Sequence, residues 1–353
     1  MVNQKSPIGY AVVGLGTWGE LHLNVMKSDP RINLLAVCDI NKEKAEHVAK
    51  KFGIPQFYDS YNEMLLDQRI KAVSVATPDF AHAEVAIAAA QSGRSVLIEK
   101  PMATTVENCL DIIHECKKNN VKLMVDFHNR WNPSFYVANE KIRAKELGKI
   151  KYVYFRLSDT IFVPQSYISW SSKSSVLWFL GPHVTDTLRW LFQDEVKEVY
   201  CVSRKDVLLS KGIDTPDFFT YILQFENGGV ATVEHSWILS DKNPTIFDLK
   251  CEIQCADGTI FIDTSHNRTI EIYSRKETAG WENIYPDIML SPVINGKLMG
   301  FGAESIRHFI DCLWEGTEPL VGGIDGLRSV EILLAALESS ACNSPVKVNR
   351  NHL

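Results

Sequence analysis

The chain has 353 residues, 37 Lys plus Arg against 43 Asp plus Glu, a formal net charge of -6, and is 45% hydrophobic and 23% charged. That composition excludes long-range disorder and fibrous architectures, and the length exceeds what one hydrophobic core organises, so two domains are expected. The charges form no Lys/Arg block that would mark binding to nucleic acid or to an anionic membrane surface, which leaves small ligands recognised locally.

From Ile8 to about Val125, short apolar runs alternate with amphipathic stretches: YAVVG, WGELHLNVMKS, NLLAVCD, NKEKAEHVAKKFG, AVSVATP, AHAEVAIAAAQSG, SVLIEKP, TVENCLDIIHECKKNN and KLMVD. Strand then helix, repeated with short connections, predicts a doubly wound parallel sheet with right-handed crossovers. Gly53 and Gly93 each follow a helical run where a left-handed cap is wanted. A helix is predicted to start near Pro133. The texture then changes to longer alternating strands, KYVYFRL, VKEVYCVSR, FFTYILQFE, GGVATVEHSWIL, FDLKCEIQCAD, GTIFID and TIEIYS, with NGG and ADG as hairpin turns. This pattern predicts a mainly antiparallel sheet with helices on one side, its other face meeting solvent or a subunit contact. Two helices close the chain, about 304–315 and 325–339.

The eight cysteines are scattered without a CxxC pair and read as buried thiols of a reducing compartment. Cys251 and Cys255 lie in a strand-like segment with no His or further Cys to complete a metal set. No HxH or HxxxH with an adjacent carboxylate occurs, so no metal is expected. The chain shows no leader and no apolar run of roughly 20 residues, which points to cytoplasmic residence.

The chemistry begins at Gly14-Leu-Gly16-Thr17-Trp18-Gly19, directly after a strand and opening a helix. The first glycine permits the turn, the second lets backbone approach a pyrophosphate, and the third lets helix and strand pack closely. Asp39, 20 residues beyond Gly19 and followed by Ile40, ends the next strand, where a carboxylate binds ribose hydroxyls. Asp39 repels a 2′-phosphate and no Arg follows it, which favours NAD, while Lys42 and Lys44 leave NADP open. Ala76-Thr77-Pro78, His82 and Glu99-Lys100-Pro101 stand at or just after predicted strand ends, the edge where open α/β sheets bind ligands. The loop 160–175, with Trp170, mixes aromatics and hydroxyls suited to a sugar rim, together with Trp178, Asn129 and Arg130. His22, His47, His114 and His308 are read as surface or helix-face residues, and His235 as a candidate for the sheet interface.

In order and spacing, G-x-G-x-x-G at 14–19, A-T-P at 76–78 with His82, E-K-P at 99–101, Arg130 with Pro133, and Gly-Pro-His183 with Asp186 and Trp190 resemble the Gfo/Idh/MocA oxidoreductases. The resemblance covers essentially the whole chain. It implies α/β architecture: an NAD(P)-binding Rossmann domain over 1–125, and over 126–353 a substrate-binding α/β domain with a large, open, mainly antiparallel sheet. The final helices are expected to pack back toward the Rossmann domain, and the sheet to serve a homodimer or homotetramer.

It also implies hydride transfer between the nicotinamide and a secondary alcohol or ketone of a sugar, sugar derivative or cyclitol. Lys100 then binds the substrate hydroxyl, and His183 falls on the family's second-domain catalytic histidine. Where the family commonly has Asp four residues before that histidine, this chain has Phe179. Asp186, three residues after His183 on one helix face, is expected to orient it. Two alternatives stay open: a less polar substrate such as an aryl glycoside or dihydrodiol, suggested by Phe179, and a dinucleotide-binding sensor without turnover.

Overall fold

The computed structural model describes residues 5–265 and 287–352, which divide between two compact units, Met1–His128 with Ser291–Leu327 and Asn129–Leu290 with Arg328–Leu353. The expected strand TIEIYS lies outside the described residues.

The first unit opens with β1 (Ile8–Val13), α1 (Thr17–Lys27), β2 (Ile32–Cys38), α2 (Lys42–Phe52), β3 (Gln56–Tyr58) and α3 (Tyr61–Met64). It continues with β4 (Ala72–Val75), α4 (His82–Gln91), β5 (Ser95–Ile98), α5 (Val106–Lys118) and β6 (Leu123–Val125). The sheet runs β3-β2-β1-β4-β5-β6, parallel throughout. Strand order reverses between β1 and β4, so a crevice opens at the carboxyl ends of these central strands. Tyr10, Val12, Val37, Val73, Val96 and Leu97 are fully enclosed, as expected where helices cover both faces. Local chemistry sets the helix ends: the Asn41 side chain accepts from the Lys44 amide, and Gly53 closes α2 at φ 67°.

The second unit starts with α6 (Pro133–Arg143) and β7 (Ile150–Asp159), then α7 (Val176–Phe192), β8 (Val196–Arg204) and the short α8 (Val207–Ser210). β9 (Phe218–Phe225), β10 (Val230–Ser236), β11 (Phe247–Cys255) and β12 (Thr259–Asp263) follow. The chain then returns to the first unit with β13 (Val293–Ile294), β14 (Lys297–Leu298) and α9 (Phe301–Glu315). α10 (Gly323–Cys342) crosses the division, and β15 (Val346–Lys347) ends the second unit. The division falls after His128, three residues past the expected boundary at 125, and 291–327 groups with the first unit, where α9 packs on α1.

The second sheet has order β12-β11-β7-β10-β9-β8-β15 and is antiparallel except for the β10–β7 pair. Val153, Phe155, Leu157, Tyr221, Leu223, Val233 and Ile253 face inward with Leu177, Val184 and Leu188 of α7. On the outer face Arg156 pairs with Glu234 and Asp248, and Ile222 and Phe261 are exposed. His235 is enclosed rather than interfacial: its ring bonds the Tyr221 hydroxyl and the Leu157 carbonyl, each at 2.8 Å. Six cysteines are buried as expected, whereas Cys255 is half-buried and Cys342 exposed.

Candidate active site

The glycine turn is built as its spacing predicts. Gly14 has φ +86°, and a Cβ on Gly19 would stand 1.9 Å from the Gly14 carbonyl oxygen, so β1 and α1 approach too closely for any side chain. A Cβ on Gly16 would meet nothing within 4 Å, and Gly16 caps α1 without a side-chain hydrogen bond. Open space thus adjoins Gly16 at the positive end of an 11-residue helix, with Thr17 exposed beside it. This cradle, which a Cβ would fill, fits a dinucleotide pyrophosphate.

Asp39 ties β2 to that turn. Its carboxylate accepts from the amides of Leu15 and Asn41, each at 3.0 Å, and pairs with Lys44 at 3.0 Å. Lys42 faces Asp59 at 3.7 Å. Both lysines that left the 2′-phosphate question open therefore already have carboxylate partners. Beside Asp39, Ile40 is 96% exposed, an apolar surface in the place where an adenine ring would lie.

Ala76, Thr77 and Pro78 are half-buried after β4, and Lys100 is buried after β5. His82 and Glu99, expected at the cofactor, are turned into the protein. The His82 ring spans the carbonyls of Pro101 at 2.6 Å and Thr77 at 2.8 Å, so it joins two strand-end loops. Glu99 accepts from the His22 ring nitrogen Nε2 at 3.2 Å.

His22, expected as a surface or helix-face residue, is fully buried on the same face of α1 as Gly19 and Leu23. Its Nε2 also faces Asp126 at 3.7 Å, and its Nδ1 bonds the Ser74 hydroxyl at 2.9 Å. Burial and then the Glu99 charge push Asp126 up to about 7. Burial would also raise Glu99, but the His22 hydrogen bond and the nearby charges of His22, Lys100 and His128 bring it below its ordinary value. The ligand-type atoms of His22, Glu99 and Asp126 lie within 4.8 Å of one another, and hydrogen bonding and charge balance account for the grouping.

His128 stacks on Trp18 with ring centroids 5.3 Å apart, and burial lowers its pKa to about 4. Sequence reasoning missed His22, Asp126 and His128. Asp126 was accessible by one rule, since it follows β6 at the same sheet edge as Asp39 and Glu99.

In the second unit, Ser175 caps α7, accepting from the Trp178 amide, and this helix carries His183 and Asp186. Both are buried. Both oxygens of Asp186 accept from Arg130, at 2.5 and 2.9 Å. Arg130, expected at the substrate, and Asp186, expected to orient His183, form an ion pair with each other. Asn129 is buried, and it donates to the Thr187 hydroxyl at 3.4 Å.

Trp170, Trp178 and Phe179 are half-buried and pack on the hydrophobic core of this unit. The Phe179 ring lies 6.2 Å from that of Trp170 and 5.8 Å from that of Trp237, whose indole donates to Asp159 at 3.2 Å. Position 179 is therefore an aromatic junction. Val163–Tyr167 forms a single π turn in the loop before α7, a feature frequent at functional sites.

Residues 8–127 match the oxidoreductase family with NAD-binding Rossmann fold, Gfo/Idh/MocA, and residues 139–348 match its C-terminal alpha/beta domain. The chain is 29% identical over 342 residues to a scyllo-inositol 2-dehydrogenase (NAD(+)) of Bacillus subtilis, covering 96% of each. It is 25% identical over 339 residues to a Myo-inositol 2-dehydrogenase of Thermotoga maritima, covering 96% of this chain and 97% of that one. The solved scyllo-inositol dehydrogenase of Lactobacillus casei, with bound NAD(H) and scyllo-inositol, shares the fold at TM-score 0.80 and 16% identity, over 97% of this chain and 99% of that one. With both halves matched in order, glycine cradle and antiparallel sheet included, the chain belongs to the Gfo/Idh/MocA oxidoreductase family.

Proposed function

We propose that the chain is an NAD-dependent dehydrogenase acting on a secondary alcohol of a cyclitol or sugar. One observation carries most of this reading: the similarity to scyllo-inositol 2-dehydrogenase extends over 96% of both chains. The polyol substrates in the relatives' names favour it over a less polar substrate and over a sensor without turnover.

Gly14, Gly16, Thr17, Trp18 and Gly19 would hold the pyrophosphate, and Asp39 with Ile40 the adenosine end. Lys44 and Lys42, already paired with carboxylates, support NAD rather than NADP. When bound, the cofactor supplies the hydride acceptor. Lys100 is proposed to hydrogen-bond the substrate carbinol oxygen, and His183 to accept its proton, since departure of hydride leaves a developing carbonyl. The Arg130–Asp186 pair would brace the helix that presents His183. Trp170, Trp178 and Phe179 would offer apolar surface to the carbon face of the substrate.

The test is a panel of scyllo-inositol, myo-inositol, sugars and glycosides with NAD or NADP, followed by absorbance of the reduced cofactor. NAD-linked turnover of at least one polyol is expected. Lys100→Ala and His183→Ala should each lower turnover about 10²- to 10⁴-fold while cofactor affinity holds. Turnover unchanged in both variants refutes the roles, and cofactor binding without turnover of any compound refutes the activity. Among the described residues no helix is long and apolar enough to cross a membrane. Cytoplasmic residence, and a dimer or tetramer through the outer face of the second sheet, belong to the same proposal. Sedimentation analysis checks the assembly.

A further inference from the structure

We propose that His22 and Asp126 are positioning residues for Lys100: together with Glu99 they form a buried proton-sharing site that sets the charge around the Lys100 ammonium. This inference rests on the catalytic role proposed for Lys100. The catalytic motifs do not include His22 or Asp126, yet α1 and the end of β6 bring them to the residue that precedes Lys100.

The site is a hydrogen-bonded chain that runs to Glu99, with Asp126 beside its end. Tyr10 on β1 and Ser74 on β4 are 3.1 Å apart between hydroxyls, and Ser74 Oγ is 2.9 Å from His22 Nδ1. His22 Nε2 then faces Glu99 at 3.2 Å and Asp126 at 3.7 Å. In one ordering Tyr10 donates to Ser74, Ser74 donates to His22 Nδ1, and the Nε2–H donates to Glu99 at 3.2 Å, with Asp126 3.7 Å away beyond it. Burial raises the Tyr10 phenol, with Ser74 opposing and the Asp126 charge adding, which keeps Tyr10 a donor at the start of the chain.

Groups on several elements act on Asp126. They are His22 on α1, Glu99 and Lys100 after β5, and the uncharged Ser305 hydroxyl on α9. Tyr10 on β1 interacts with the Asp126 charge, and His128 after β6 interacts with Glu99. Two carboxylates enclosed this closely do not both ionise freely, so one proton stays with the pair until about neutral pH. Glu99 carries the charge and Asp126 the proton, with its value raised to about 7 by burial and by Glu99. Above that pH the environment of Lys100 gains a second negative charge, which favours its ammonium form.

The experiment uses the full chain without cofactor, grown on ¹³C,¹⁵N-lysine, with Lys100→Arg to assign the Lys100 signal. Its Cε resonance should show a step near pH 7 as Asp126 loses its proton. Asp126→Asn should abolish the step and lower the Lys100 ammonium pKa by about one unit, a tenfold change in acid dissociation. Ser74→Ala, which keeps both carboxylates, should shift the step without removing it, and serves if Asp126→Asn does not fold.

In turnover with NAD and scyllo-inositol, the kcat/KM limb near pH 7 should disappear in Asp126→Asn, while NADH affinity stays within about twofold. A step that persists in Asp126→Asn, or does not move in Ser74→Ala, overturns the proposal. So does a stoichiometric divalent metal in the purified protein that His22→Gln removes. If no polyol is turned over, the function proposal fails while the resonance titration still decides this one.

Discussion

Gly16→Ala separates a ligand cradle from a merely tight turn. The Gly16 backbone, at φ -70° and ψ -170°, is extended, which alanine adopts without strain. Its Cβ would find no protein atom within 4 Å. The cofactor-free chain should therefore keep its stability or gain about 0.4–1 kcal/mol from a less flexible unfolded state. The new methyl occupies the space in front of the first-turn amides of α1, where the pyrophosphate is proposed to rest.

Losing one hydrogen bond to a charged phosphate costs about 1.5–3 kcal/mol, which corresponds to roughly 10- to 100-fold weaker NADH binding. Thermodynamic linkage makes the loss visible. At an NADH concentration near 100 times the wild-type Kd, ligand stabilises the wild type by about 2.7 kcal/mol. A variant weakened 100-fold gains only about 0.4 kcal/mol under the same conditions. Fluorescence titration with NADH, and urea denaturation with and without it, measure both quantities. Wild-type NADH affinity in Gly16→Ala refutes the cradle, and a large loss of cofactor-free stability refutes the reading of open space.

Gly19→Ala should behave in the opposite way, losing about 3 kcal/mol of stability without cofactor, since its Cβ would meet the Gly14 carbonyl at 1.9 Å; denaturation midpoints check this. Arg130→Met strips the bidentate partner from a fully buried Asp186 and should cost about 3–5 kcal/mol. In the double variant with Asp186→Leu much of that loss should return, by the same denaturation assay. His128 predicts a pH effect. Burial depresses its folded value to about 4, below the ordinary 6.5, so the unfolded chain binds more protons between those values. Stability therefore falls as pH drops from about 6.5 to 4, and His128→Asn should flatten that part of the stability curve in a urea series across pH.

Much of the fold was legible because its signals are local. Strand-helix alternation, the glycine spacing and Asp39 each lie within a few turns of chain, and period-two patterning marked β7 to β12 as a mainly antiparallel sheet. Charged neighbours hid His22, because the face a helix buries depends on what packs against it. Glu99 and His82 were correctly placed at the sheet edge, but their side chains turn inward to partners 77 and 19 residues away.

The sequence by itself determined the two-part α/β architecture, the dinucleotide cradle and the family. Periodicity and turn chemistry act over short separations and need no knowledge of the partner segment. Only the tertiary structure decided that His22, Glu99 and Asp126 share one enclosed space and that Arg130 pairs with Asp186. These are convergences of segments far apart in the chain. Desolvation and pairing of buried charge arise only once folding has brought the groups together.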